Sequence, residues 1–169
     1  MTDSALNDAT RERIAPVLGR LPSGVSILTA GDGGERETGM LASWVQQASF
    51  DPPMVTLAVN AKRYLNDWLQ PGAPLVLNLL GEDNGALLKH FGKGFEPDEP
   101  AFEGVNTSRA DNGLPVLGDA LGYLEGNVAG QTPAGDHLVY VVEITGAGSA
   151  ALLNDSKPMV HIRKTGFHY

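Results

Sequence analysis

Residues 39–53 read GMLASWVQQASFDPP. Laid out as a strand over Gly39–Phe50, this stretch puts Met40, Ala42, Trp44, Ala48 and Phe50 on one face, with Gln46 intruding. Leu41, Ser43, Val45, Gln47 and Ser49 fall on the other. Neither face is uniformly polar, so neither is a plain solvated side. A strand of this kind suits a barrel wall that also meets a ligand or a partner. Asp51-Pro52-Pro53 stops it, because proline cannot donate to a ladder.

Working outward, Gly24–Ala30 (GVSILTA) reads as the preceding strand, joined to the first by the glycine-rich turn Gly31–Glu37 in a hairpin. Met54–Val59, Leu75–Leu80 and Leu138–Ile144 are apolar runs of strand length flanked by Pro, Gly and Asp. Further strands are expected near Ala120–Ala129 and Pro158–Lys164, with the Leu138 run extending to Gly148. Short helices are expected over Ala9–Leu18, where Pro16 limits length, over Ala61–Leu69 behind Asn60 as cap, and over Asn84–Phe91 before Gly92. Gly92–Gly118 reads as a surface excursion. Many strands with few short helices mean a mainly β protein, an antiparallel barrel with insertions. The division expected is a polar N-terminal arm, residues 1–13, and one domain, residues 14–169.

The 169-residue chain has no cysteine and a formal charge of −8. Thiol nucleophiles, zinc–thiolate sites and iron–sulfur clusters are thereby excluded, and the acidic balance argues against a nucleic-acid partner. No apolar run reaches the roughly 18 residues of a membrane span. Met1–Arg13 has no basic start followed by an apolar stretch, so no secretory leader is read and a cytoplasmic location is expected.

Lys62 and Arg63 fall in the first turn of the expected Ala61–Leu69 helix, where the dipole disfavours cations by about 0.3–1 kcal/mol each. A bound phosphate would reverse that sign; solvated surface charges are the plain alternative. Ser43, Gln47 and Ser49 offer neutral donors and acceptors around Trp44, suited to a polar ring edge or to a strand face covered in a dimer. His137 follows Gly135-Asp136 at the mouth of an apolar strand, as a pocket residue or as a hydrogen-bonded loop histidine. No HExxH, GxSxG, GxGxxG or Walker loop is present.

Taken together, GRLPSGVSILTA, GMLASWVQQASFDPP, VLNLL, GDHLVYVVEI and PMVHIRKTGFHY resemble the flavin reductase-like, FMN-binding split-barrel family, over roughly Ile14 to Phe167. The GM-x-A-S…S-F-D-P-P run is the most specific piece. The ASW version, with LLKHFGKGF and GYLEG downstream, looks closest to the reductase module at the C-terminal end of cyanobacterial flavodiiron proteins, expected here without a diiron or flavodoxin domain attached.

The resemblance implies an antiparallel split β-barrel that binds flavin, FMN or alternatively FAD, near the interface of a homodimer. It implies Ala42, Ser43 and Trp44 along the isoalloxazine, Ser49 and Phe50 near the ribityl–phosphate part, and Asn60, Lys62 and Arg63 at the phosphate. His137 matches the family histidine on the nicotinamide side. The activity implied is NAD(P)H:flavin oxidoreduction, with an electron-acceptor protein as a possible further partner. The alternative is an electron-transfer flavoprotein reduced by a partner protein. A split barrel of the pyridoxamine-phosphate-oxidase type gives way to the GMxASW…SFDPP pattern.

Overall fold

The computed structural model describes residues 6–149 and 153–168. The first five residues of the expected arm, and Tyr169 at the end of the tail, lie outside them. In chain order the elements are α1 (Asp8–Gly19), β1 (Ser23–Gly24), β2 (Ser26–Gly31), β3 (Glu37–Ala42), β4 (Val45–Phe50), β5 (Pro53–Asn60) and a single 3-10 turn over Tyr64–Asp67. There follow β6 (Pro74–Leu79), α2 (Gly85–Gly92), β7 (Thr107–Arg109), β8 (Pro115–Leu117), β9 (Gly122–Ala134), β10 (His137–Ser149) and β11 (Val160–His161).

Seven strands form one antiparallel sheet in the order β3-β2-β6-β9-β10-β5-β4. Its two edge strands, β3 and β4, are consecutive in sequence and joined only by Ser43 and Trp44. A flat sheet of that order would hold its edges roughly 29 Å apart, at about 4.8 Å per neighbouring pair. Two residues bridge only about 10 Å. The sheet must therefore curl until its edges nearly meet, and the result is a split barrel.

That junction also corrects the single strand expected over Gly39–Phe50. The segment pairs with β2 up to Ala42 and with β5 from Val45 onward, so the chain changes neighbours at Ser43–Trp44. A second register shift falls between Gln47 and Ser49. The simple alternation of faces is broken at both places.

Inside the barrel, Leu28, Leu57, Leu75, Leu77, Tyr140 and Val142 form the centre of one core. Asn78 interrupts the apolar run of β6 and is fully buried. Its amide donates to Ile27 O and Thr29 Oγ1, and its carbonyl accepts from Leu117 N, so each part of the side chain is used. A second cluster packs α2 on β3 through Phe91. Gly39 permits this contact, since an added Cβ would lie 2.4 Å from the Phe91 ring.

The α1 helix covers the expected Ala9–Leu18 with one residue more at each end, and Pro16 lies inside it, while two other expectations at the edges change. Pro16 and Glu12, whose carbonyl loses its helical donor there, are both exposed, so solvent can serve that group. The Gly92–Gly118 excursion contains the β7–β8 hairpin, whose Val116 packs with Leu114 and Ala110 against Val76. The Pro158–Lys164 strand shrinks to Val160–His161, paired with Ser23–Gly24. Beyond it the tail follows α1 instead of a sheet edge: Arg163 N donates to Gly19 O, and Gly166 N to Ala15 O.

Candidate active site

The β5 register decides which side chains can form a site. Val55, Leu57 and Val59 enter the core, which leaves Thr56, Ala58 and Asn60 on the opposite face. Gln46 lies opposite Thr56 on one side of β5, and Val139 lies opposite Ala58 on the other. Ser43 and Trp44 hang above this face from the β3–β4 link, with Trp44 O accepting from Ala58 N at 3.0 Å. The outer wall comes from Leu18, Leu21, Pro22, Ser23 and Gly24, with Arg163 and Gly166 of the tail. Together they enclose a cavity of about 470 Å³.

Two features give the cavity its chemistry. Ser43 is 6% exposed, and its Oγ is buried without a hydrogen-bond partner among the described residues. An orphaned hydroxyl of this kind costs about 1–3 kcal/mol, a cost that a ligand bringing a polar edge would relieve. Trp44 supplies a broad apolar surface beside it. A flat, largely apolar ring system with polar atoms along one edge fits this lining.

His137 opens β10 directly opposite Asn60. Its ring centroid is 4.8 Å from that of Trp44, and Nδ1 lies 2.7 Å from Asp136 Oδ1. The His137 hydrogen bond, followed by its charge and more weakly by Lys62, holds the Asp136 carboxyl below its ordinary range. Gly135, at φ +65°, makes the two-residue turn that delivers His137 to this position.

The helix expected over Ala61–Leu69 is not formed, and this is a correction. Asn60 Oδ1 accepts from Lys62 N, making a local turn, and Arg63 is extended at φ −77°, ψ 131°. Only Tyr64–Asp67 winds, as one 3-10 turn. The dipole argument for Lys62 and Arg63 therefore has no helix to act through. The turn is fixed from below by Asn66, whose amide donates to Asn60 O and Arg63 O while its carbonyl accepts from the Tyr140 hydroxyl at 2.8 Å. Burial, and then the charge of Asp67, push the Tyr140 pKa up, which keeps that hydroxyl protonated as a donor.

The structure thus brings Ser43, Trp44 and His137 together, with Asn60 opposite His137 and Lys62, exposed, in the turn that follows. Ala42 lies in the core behind them. Arg63 is exposed and directed towards Gly94. Ser49 and Phe50 sit at the far end of β4, roughly 17–20 Å along the strand from Trp44. Sequence reasoning assigned no role to the α1–tail wall or to Arg163, although HIRKTGF was conspicuous as a basic stretch in an acidic chain.

The Flavin reductase like domain matches residues 18–168. The chain belongs to that family. Membership makes it a flavin-linked oxidoreductase. It is 42% identical over 167 residues to the putative diflavin flavoprotein A 3 of Synechocystis sp., covering 98% of this chain and 27% of the relative. It is 43% identical over 153 residues to diflavin flavoprotein A 1 of the same organism, covering 90% and 26%. The chain thus spans about a quarter of the length of these curated relatives. Among solved structures, the NADH:FAD oxidoreductase SgcE6 of Streptomyces globisporus C-1027 superposes with a TM-score of 0.79 at 22% identity, over 96% of this chain and 93% of that one. The flavin reductase HpaC, solved with NADP+, gives 0.73 at 23% identity, over 88% and 90%. These likenesses establish the same split-barrel fold. No helix among the described residues is long and apolar enough to cross a membrane, and no group of His, Asp and Glu among them is arranged to hold a metal.

Proposed function

We propose that this domain is an NAD(P)H:flavin oxidoreductase with FMN as its flavin. The observation that carries the reading is the orphaned Ser43 hydroxyl beside Trp44, in a cavity of flavin-reductase topology. A bound flavin supplies the chemistry, accepting hydride from a reduced nicotinamide. The chain's own residues bind and orient. Ser43 offers its hydroxyl to a polar ring edge, Trp44 covers apolar ring surface, and the α1–tail wall excludes water. His137, held by Asp136 and Trp44, orients the nicotinamide or moves a proton at Nε2. Asn60, Lys62 and Arg63, with Ser49 and Phe50, retain the roles that the resemblance suggests, at the phosphate and ribityl end of a site completed by a second copy of the chain.

The test is consumption of NADH and NADPH by the purified domain with and without added FMN. FMN-dependent consumption of at least one donor is expected. A second reading draws on the relatives, which are named diflavin flavoproteins and are about four times as long as this chain. In it the domain exchanges electrons with a partner protein and does not turn over nicotinamide itself. FMN binding without consumption of either donor would select that reading.

A further inference from the structure

The strand register puts two polar side chains on inward faces at one end of the barrel. Ser26, Leu28 and Ala30 share a face of β2, and Leu28 and Ala30 lie in the core, so Ser26 points inward too. Ser26 stands opposite Leu79, which shares a face of β6 with the core residues Leu75 and Leu77. Gln47 of β4 stands opposite Val55 of β5, another core residue. One step deeper, the same faces of β2, β6 and β5 carry Leu28, Leu77 and Leu57, all buried.

The outer layer does not close over the core. Ser26 and Gln47, with Val55, Leu77, Leu79 and Leu124, line a second cavity of about 220 Å³. Its lining includes no charged side chain among the described residues. Gln47 is exposed, and its amide donates to Ser49 O, so it belongs to the mouth. Ser26 is 7% exposed, and its hydroxyl makes no hydrogen bond among the described residues. The wall therefore holds one buried hydroxyl in an otherwise apolar interior. Gly24 and Val45 line this cavity and the larger one alike, so the two sites share a partition.

Size and chemistry narrow the occupant. An apolar cavity of about 150 Å³ takes a benzene ring, whereas sites for larger ligands begin near 300 Å³. A single ring with one or two small substituents fits the space, and a flavin does not. A charged group would be desolvated there without a partner, so the ligand is neutral. The Ser26 hydroxyl asks for one hydrogen-bonding group, and a rigid ring loses less freedom on binding than a chain of equal volume. We propose that this barrel-end cavity is a binding site for a small neutral phenol, with Ser26 as the group that recognises its hydroxyl. The site stands apart from the flavin cavity and does not depend on the reductase reading.

The probes are p-cresol, toluene, which lacks the hydroxyl, and 4-methylbenzoate, which carries a charge. Methyl NMR titration locates them, because Val55, Leu79 and Met159 line only this cavity, whereas Leu18, Leu21 and Val139 line only the larger one. In the wild type, p-cresol should shift the Val55, Leu79 and Met159 methyls saturably, with a Kd on the order of 0.1–1 mM. The 4-methylbenzoate ion should bind at least about tenfold more weakly. Ser26→Ala should lower the preference for p-cresol over toluene, taken as the ratio of their Kd values, by about threefold to tenfold. Its affinity for toluene should stay within about twofold, and its methyl spectrum without ligand reports that it is folded. No saturable shift of the three reporter methyls up to about 10 mM p-cresol would overturn the proposal. Shifts confined to Leu18, Leu21 and Val139 would overturn it as well. So would an unchanged preference in Ser26→Ala, because apolar filling alone would then account for the binding. Should Ser26→Ala fail to fold, the location of p-cresol and the exclusion of 4-methylbenzoate in the wild type decide the matter.

Discussion

The imidazole of His137 and the indole of Trp44 lie 4.8 Å apart, centroid to centroid, with their planes inclined at 44°. They come from distant parts of the chain, Trp44 from the link that closes the barrel and His137 from the hairpin turn before β10. Asp136 holds the imidazole from the other side. If His137 orients the donor or transfers a proton, His137→Ala should lower turnover with reduced nicotinamide by about a hundredfold. Flavin affinity should stay within about twofold. Parallel steady-state and fluorescence measurements check this. A matching loss of flavin affinity would mean that His137 acts by supporting Trp44.

Ser43 makes a prediction of unusual sign. Its hydroxyl is buried and unpartnered among the described residues, so removing it relieves a desolvation cost in the ligand-free protein. Ser43→Ala should leave the Tm of the empty protein unchanged or raise it, while weakening flavin binding by about threefold to tenfold. Thermal melts with and without FMN would show the two effects moving in opposite directions. A fall in Tm without ligand would show that the hydroxyl already has a structural partner.

Much of the barrel was legible because its strands are apolar runs cut by proline and glycine, a local signal. The break at Ser43–Trp44 was not legible. Nothing in LASWVQ marks a change of strand partner, which depends on which edge lies near. The Ala61–Leu69 helix failed for a related reason. Asn60 can cap a helix or bond its own chain two residues on, and here the second option prevails, supported by the distant Tyr140 through Asn66. In the site, Ser43, Trp44 and His137 were singled out by residue type and by resemblance. Arg163 has no such signal, because it reaches the cavity wall only through the tail folding back along α1, a long-range contact with no periodicity to announce it.

The hydrogen bond from His137 gives Asp136 a distinct acid titration. Its carboxyl lies below the ordinary 3.8 in the folded protein. A depressed carboxylate pKa contributes stability that is present above the unfolded value, and that is lost as pH falls through the lower, folded value. The affected window therefore lies below about pH 4. Carbon-detected NMR titration of the Asp136 side chain should show a midpoint under 3.8, and His137→Ala should move it upward. An unmoved midpoint would place the cause elsewhere.

Phe50 is 90% exposed at the end of the edge strand β4. An aromatic ring left in water at a sheet edge is a liability unless another surface covers it. With the family resemblance, this supports the proposed homodimer. Light scattering at micromolar concentration should give the mass of two chains, and Phe50→Asp should shift it towards one. A wild-type mass of one chain with FMN present would remove the proposal.

Asn78 tests what holds the two halves of the barrel together, independently of any ligand. It is fully buried in β6, between β2 and the end of strand β8 at Leu117. Its amide donates to Ile27 O and Thr29 Oγ1 at 3.1 Å each, and its carbonyl accepts from Leu117 N at 2.9 Å. A hydrogen bond of this kind contributes about 1 kcal/mol net, but a buried partner left unpaired costs about 1–3 kcal/mol more. Asn78→Leu keeps most of the volume yet strands the Leu117 amide and removes the side-chain bonds to Ile27 O and Thr29 Oγ1, so it should cost about 3–5 kcal/mol. Thr29→Val removes a single acceptor and should cost only about 1 kcal/mol. Urea unfolding would read both as shifts in midpoint at unchanged m. Neither residue lines the cavity, so flavin affinity per folded molecule should be the same in both variants. A cost below about 1 kcal/mol for Asn78→Leu would mean that water or backbone relaxation satisfies the stranded groups.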